Sequence, residues 1–73
     1  MNIVLYKPAT CPKCKVVKAK LDNKNLKYTE EMDVAAIGAR GVTEIPTLEV
    51  NGELITDFRT MCRWVDAQEV SNG

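Results

Sequence analysis

IVLYKPATCPKC, residues 3–14, decides the fold, because a short apolar run leads directly into two cysteines three positions apart. The run at 3–6 predicts a strand. Pro12 predicts the start of a helix, since proline is favoured at the first helical position, where its missing N–H would have no partner. Cys11 is then expected beside the unpaired N–H groups and the positive dipole end of that helix, which favours a nucleophilic thiolate. Cys14, one turn further on, can close a disulfide with it, so the segment predicts reversible dithiol–disulfide chemistry.

A C-x-x-C pair has two other common uses, in a structural zinc site and in a purely structural disulfide. A structural zinc site needs four nitrogen or sulfur ligands. The sequence has no histidine and only one further cysteine, Cys62, so a carboxylate or a second protomer would have to complete the set. A purely structural disulfide over so short a loop constrains the unfolded chain little. Pro12 and the strand-to-helix context favour redox chemistry over both, and we expect Cys62 to have a buried apolar role.

Length and composition limit the class of protein. Seventy-three residues predict one domain, 1–73, and its apolar runs are too short to span a bilayer. The N-terminus has no signal-peptide pattern, so we expect a cytoplasmic location, where paired cysteines are usually catalytic. The net charge is zero and aromatic residues are few, so neither a nucleic acid nor a membrane is expected as a partner.

The charges are nevertheless divided along the chain. Residues 1–28 carry seven lysines against one aspartate, whereas residues 29–73 carry nine acids against three arginines. We interpret most of the lysines as the solvated face of the first helix. In the alternative interpretation, Lys13 and Lys15 lower the pKa of the first thiol and steer an acidic partner towards it.

Apolar spacing predicts a helix from Pro12 to about Asn25, then a second strand at about 26–31. The inward face of that helix is expected to carry Cys14, Val17 and Leu21. Asp33 is expected to cap a short helix at 34–39. The first cysteine of the pair should therefore face outwards and the second inwards.

The second half of the chain contains a strong hairpin signal. Asn51-Gly52 separates the alternating runs 47–50 and 53–56, and both central residues of a type I′ turn need positive φ. Asp57 is expected to cap a last helix from Phe58 to about Val70. The order is β-α-β-α-β-β-α, with the first two strands parallel and the last two antiparallel.

This α/β order resembles the minimal thioredoxin fold of glutaredoxins over nearly the whole chain. The resemblance includes C-P-x-C after the first strand and Ile45-Pro46 at the start of the third. The resemblance implies a four-stranded mixed sheet with helices on both faces, and a cis Ile45–Pro46 bond that faces the cysteines. It also implies that Cys11 attacks a substrate disulfide and that Cys14 resolves the mixed disulfide, without a metal or organic cofactor. The substrate-binding residues that we infer are Thr10, Pro12, Lys13, Ile45, Pro46 and Asp57.

Two branches of the family fit different parts of the chain. Glutaredoxins hold glutathione with a Gly-Gly pair and an acid, where this chain has Thr56-Asp57 and Thr60. Asp57 is mainly interpreted as a helix cap, with binding of an amino group as the alternative. Residues 41–46 and Phe58-Arg59 look like redoxins that donate hydrogen to ribonucleotide reductase and are recharged by thioredoxin reductase, although their usual C-x-Q-C is absent. The hydrogen-donor type is preferred, and a glutathione-dependent glutaredoxin is the alternative.

The resemblance also indicates partners. We expect a monomer that reduces a disulfide-containing protein, with ribonucleotide reductase as the acceptor in the preferred type. The reductant would be thioredoxin reductase or glutathione. A different class within the family carries an iron–sulfur cluster between two protomers, each giving one cysteine, but Pro12 and the weakened glutathione site argue against it.

Overall fold

The computed structural model describes residues 2–8 and 11–70, and within them the predicted order of elements is confirmed. The strands are β1 (Ile3–Tyr6), β2 (Thr29–Glu31), β3 (Thr47–Val50) and β4 (Glu53–Ile55). The helices are α1 (Pro12–Asn23), α2 (Val34–Ala39) and α3 (Phe58–Ala67). None of these helices is long and apolar enough to cross a membrane.

Three element boundaries differ from those predicted by two residues or more, and β4 ends one residue early, at Ile55. Helix α1 ends at Asn23 because Asn25 adopts a φ of 55°, and the chain then closes with a 3.1 Å hydrogen bond from Leu26 N to Leu21 O. Strand β2 therefore begins at Thr29 and not near Leu26. Helix α3 ends at Ala67, before the predicted Val70, because Gln68 has an extended backbone.

The strands lie in the order β2-β1-β3-β4. Strands β1 and β2 are parallel and strands β3 and β4 are antiparallel, as predicted. Strand β1 also pairs with β3, in antiparallel orientation. Tyr6 at the end of β1 pairs with Glu31 at the end of β2 and with Thr47 at the start of β3. We call this end of the sheet, at which β4 also finishes, the cysteine end, because the chain passes from it to Cys11.

Helices cover both faces of the sheet because successive side chains of β1 point in opposite directions. On one face, strand residues pack against α1 and α3 in a buried cluster. Its members are Ile3, Leu5, Val17, Leu21, Leu48, Met61 and Val65. On the other face, Tyr6 packs with Ile37 of α2 and with Val42. The main core of this small protein thus consists of one layer of side chains between the sheet and two helices.

Two features with unusual backbone geometry are formed as predicted. Asn51 and Gly52 have φ values of 51° and 89° in the β3–β4 hairpin. The Ile45–Pro46 peptide bond is cis. It leads directly into Thr47, the first residue of β3, which is fully buried.

Candidate active site

Cys11 is the N-cap residue of α1, and Pro12 is the first residue of that helix. The Cys11 Sγ accepts a 3.2 Å hydrogen bond from the backbone N–H of Cys14, so sulfur takes the place of the usual capping oxygen. The two cysteines are joined by a disulfide, with their Cα atoms 5.2 Å apart. In the dithiol state, the same N–H and the helix dipole favour the Cys11 thiolate.

The two cysteines differ in exposure as predicted. Only 1% of Cys14 is exposed, whereas Cys11 is half-buried. Because a larger molecule reaches an exposed sulfur more easily, Cys11 is the better placed of the two to meet a substrate. Cys14 points inwards because it lies on the same face of α1 as the other buried residues of that helix, Val17 and Leu21.

A cleft of about 400 Å³ lies at the cysteine end of the sheet. Its described lining combines one residue of α1, the turn before β3 and the turn between β4 and α3. These residues are Lys13, Glu44, Ile45, Pro46, Thr56, Asp57 and Phe58. Since Lys13 lies between the two cysteines in sequence, the cleft adjoins the disulfide.

The structure brings together most of the substrate-binding residues inferred from the sequence. Lys13, Ile45, Pro46 and Asp57 share the cleft, with Pro46 buried and Ile45 41% exposed. Pro12 is exposed at the start of α1, outside the described lining. Thr10 lies outside the described residues.

Phe58 and Glu44 line the cleft and were not identified as site residues from the sequence. The Nζ atom of Lys13 lies 5.6 Å from the centroid of the Phe58 ring, within the range of a cation–π contact. This contact joins the start of α1 to the start of α3 across the cleft. The only sequence signal for this contact was the Phe58-Arg59 pair. That pair supported the family resemblance, but no role was assigned to Phe58.

Asp57 caps α3, as its main interpretation predicted. Its Oδ2 accepts hydrogen bonds from the backbone N–H of Thr60 at 2.9 Å and from the Thr60 hydroxyl at 2.8 Å. These bonds hold the pKa of Asp57 below its usual value, so the carboxylate is charged at neutral pH. The cleft therefore contains a fixed negative charge.

Asp57→Ala is expected to lower Tm at neutral pH, because the substitution leaves the Thr60 N–H without its capping partner. The folded-state pKa lies below 3.8, so the contribution of the charge is complete above that value and is lost as the pH falls through the folded pKa. The Tm gap to the parent protein should therefore narrow as the pH falls below 3.8 and through the lower, folded-state pKa. Asp57→Asn, which keeps the oxygen acceptor, should lower Tm less than Asp57→Ala at neutral pH. A Tm difference that did not change with pH would show that the charge of Asp57 does not contribute to its capping of α3.

The basic side chains around the site are partly paired. The Glu30 carboxylate forms ion pairs with the Nζ atoms of Lys18, at 3.0 Å, and Lys7, at 3.8 Å. Lys13 and Lys15 are exposed on either side of the inward-facing Cys14. Pairing with Glu30 offsets the charge of Lys7. Among the described residues that line the cleft, Lys13 is the one with a positive charge.

Cys62, for which a buried apolar role was predicted, is half-buried on α3 and packs against the main core. Burial raises the pKa of the Cys62 thiol, which disfavours its thiolate. This environment fits the apolar role expected for Cys62 and differs from that of Cys11 at a helix start.

Comparison with known proteins gives the family. A search of curated proteins finds no match. The family model named Glutaredoxin matches residues 3–55, a span that runs from β1 through the disulfide and the cis proline to the end of β4. Because this match covers most of the chain and includes its C-x-x-C pair, the protein belongs to the glutaredoxin family of thiol–disulfide oxidoreductases, with Cys11 and Cys14 as its redox-active disulfide.

Proposed function

We propose that this protein donates electrons to protein disulfides and is recharged by a thioredoxin-reductase-type flavoenzyme in preference to glutathione. The observation that carries the proposal is the lining of the cleft next to the disulfide. Side chains of Thr56 and Asp57 stand there in place of the glycine pair with which glutaredoxins admit glutathione.

Cys11 and Cys14 account for both electrons. The Cys11 thiolate attacks one sulfur of the substrate disulfide, and the other substrate sulfur leaves as a thiolate and takes up a proton. Cys14 then loses its proton and attacks the Cys11 sulfur of the mixed disulfide. The second substrate sulfur leaves and is protonated, and the protein ends as the Cys11–Cys14 disulfide. The substrate is reduced by two electrons and the protein is oxidised by two.

The local structure supports these roles. Cys11 is the more exposed sulfur and is stabilised as a thiolate by the start of α1. Cys14 is buried, so it meets the mixed disulfide only after the substrate is already attached to Cys11. Ile45, which is exposed and lies just before β3, is proposed to pair through its backbone with the substrate main chain beside its cysteine.

Steric and electrostatic features of the cleft both disfavour glutathione. The Cβ atoms of Thr56 and Asp57 occupy space that glycines would leave to the tripeptide. The Asp57 carboxylate also repels glutathione, which is negatively charged at neutral pH. Among the described lining residues, Lys13 is the one cation, and it lies over the Phe58 ring. Thr60 donates its hydroxyl to Asp57 where the family has an acid for the amino group of glutathione.

The acceptor that we propose is the disulfide of ribonucleotide reductase. This part of the proposal rests on the likeness of residues 41–46 and Phe58-Arg59 to the hydrogen-donor redoxins. We further propose that the protein acts as a monomer in the cytoplasm and that its reductant is an enzyme with its own dithiol. Reduction of Cys11–Cys14 then follows the same exchange in the reverse direction.

Turnover on one protein disulfide should be faster with the flavoenzyme than with glutathione at matched reductant concentration. We expect at least about a tenfold difference, which corresponds to about 1.4 kcal/mol of lost binding. The assay follows NADPH consumption, with glutathione reductase completing the glutathione arm.

The matched variant is Thr56→Gly/Asp57→Gly, which restores a glycine pair in the cleft. It should gain rate with glutathione and change little with the flavoenzyme. Faster turnover of the parent protein with glutathione would show that it is an ordinary glutaredoxin.

A further inference from the structure

Glu44 lies in the cleft with an exposed and unpaired carboxylate. Other acids near the sheet are held in ion pairs, as Glu49 is with Arg40. Within residues 2–8 and 11–70, by contrast, no ion pair or side-chain hydrogen bond engages the Glu44 carboxylate. The fold therefore leaves this charge available to a molecule that enters the cleft.

The turn that carries Glu44 is nevertheless fixed. The hydroxyl of Thr47 donates a 2.6 Å hydrogen bond to the Glu44 carbonyl, and Thr47 is fully buried at the start of β3. Pro46, which lies between them in the chain, is also buried. Because the backbone is already ordered, a contact made by the Glu44 side chain costs only the ordering of its own rotamers.

The second carboxylate of the cleft, that of Asp57, is already engaged. It accepts the two hydrogen bonds from Thr60 that cap α3. These bonds, with a smaller attraction from Arg59 and Arg63, hold the pKa of Asp57 below its usual value. Asp57 therefore has less to offer a positive group on a substrate than Glu44 has.

The positive charge of Lys13 does not neutralise Glu44. The Lys13 Nζ atom lies 5.6 Å from the centroid of the Phe58 ring, and the ion pairs of the described chain do not include one between Lys13 and Glu44. Lys13 belongs to α1, whereas Glu44 belongs to the turn before β3. A substrate chain in the cleft thus meets a positive charge at the helix and a negative charge at the turn.

We propose that Glu44 is a specificity-determining residue, which selects disulfides whose cysteine has a lysine or arginine beside it in sequence. The inference rests on the proposed function, because a substrate main chain that pairs with Ile45 brings the neighbours of its cysteine to the turn that carries Glu44. An ammonium or guanidinium group there pairs with the carboxylate, whereas a glutamate or aspartate is repelled. The whole chain has no net charge, so the selection is local.

The test uses Glu44→Gln, with Glu53→Gln as the matched control. Each variant removes one exposed carboxylate, so the net charge changes equally. Glu53 pairs with Val50, which is three residues and about 10 Å along β3 from Thr47. Charges are screened over about 8 Å at physiological ionic strength, so Glu53 should not act on a substrate in the cleft.

Each full-length protein is reduced chemically, freed of reductant and mixed with a disulfide-linked peptide dimer. Three dimers are compared, which differ only in whether lysine, glutamine or glutamate flanks the cysteine on both sides. Quenched-flow labelling of thiols measures the rate of exchange. Flanking charges also alter the intrinsic reactivity of a disulfide, so the readout is the lysine-to-glutamate rate ratio, compared between proteins. Hydroxyethyl disulfide, which is uncharged, reports the reactivity of Cys11 itself.

Glu44→Gln should lower the lysine-to-glutamate rate ratio roughly threefold or more, within the range of exposed charge pairs. The rates with the glutamine dimer and hydroxyethyl disulfide should stay close to those of the parent protein, and Glu53→Gln should leave the ratio unchanged. An unchanged ratio in Glu44→Gln, or an equal fall in Glu53→Gln, would overturn the inference.

This experiment also separates the inference from the proposed function. A parent protein that reduced neither the peptides nor hydroxyethyl disulfide would overturn the dithiol exchange and the inference together. A parent protein that reduced hydroxyethyl disulfide but gave the same ratio as Glu44→Gln would overturn the inference alone. Neither glutathione nor flavoenzyme is present, so the ratio does not depend on which of them recharges the protein.

Discussion

Cys11→Ser is expected to abolish turnover on protein disulfides, lowering the rate by at least about a thousandfold. A hydroxyl at this position cannot replace the thiolate that forms the mixed disulfide. Cys14→Ser should instead complete the first exchange and stop, because the resolving thiol is absent. The two variants therefore separate the two halves of the reaction. Turnover rates, together with non-reducing electrophoresis or mass spectrometry of the trapped adduct, measure both effects.

Cys62→Ser is the matched control, since Cys62 is a half-buried thiol outside the cysteine pair. It should retain the parent rate. Brief alkylation of the reduced protein near neutral pH gives an independent check, with Cys11 modified first because it is the more exposed thiol and lies at the helix start. Preferential labelling of Cys14, or an adduct trapped by Cys11→Ser, would reverse the assigned roles.

The elements that the sequence predicted best are those with local chemical causes. Pro12 set the start of α1, and Asp57 set the start of α3, because each satisfies or avoids an unpaired backbone N–H. Asn51-Gly52 placed the hairpin because few other dipeptides adopt two successive positive φ values at low cost. The cis bond before Pro46 was inferred from the resemblance and is present.

Features that depend on tertiary contacts were predicted poorly. The end of α1 was missed because Asn25 accepts a positive φ while Leu26 turns back to pack against the core. The position of Lys13 over Phe58 depends on how α1 and α3 meet, and no spacing rule encodes that approach. The exposure of Val34 was also invisible, because an apolar residue at a helix start is compatible with either burial or exposure.

The candidate site also has one part that local sequence determines and one part that tertiary contacts determine. The cysteine pair and its unequal exposure follow from the start of α1 and from its row of buried residues. The sequence alone was therefore sufficient to predict them. The cleft needs three segments that are distant in sequence, and its lining depends on sheet register. The sequence favoured a protein reductant over glutathione from Thr56 and Asp57, but it could not show that these residues line one cleft with Lys13 and Pro46.

Leu48→Ala is expected to be the most damaging of the core truncations. Leu48 is fully buried at the centre of the sheet, where it pairs with Leu5 on β1 and Ile55 on β4. Leucine-to-alanine changes in cores cost about 2–5 kcal/mol. At about 0.05–0.15 kcal/mol per residue, a chain of this length has roughly 4–11 kcal/mol of total stability. The variant should therefore lose a large share of its free energy of unfolding.

Leu54→Ala is the control, since Leu54 is a half-buried leucine that packs beside the smaller cluster on the opposite face. Thermal unfolding should show a Tm loss of about 4–8 °C per kcal/mol for a domain of this size, so the Leu48 variant should fall well below the Leu54 variant. All proteins must be compared in one redox state, because a disulfide also changes the unfolded chain. Equal losses for the two leucines would mean that the layer between the sheet and helices α1 and α3 does not dominate stability, and that the α2 face contributes as much.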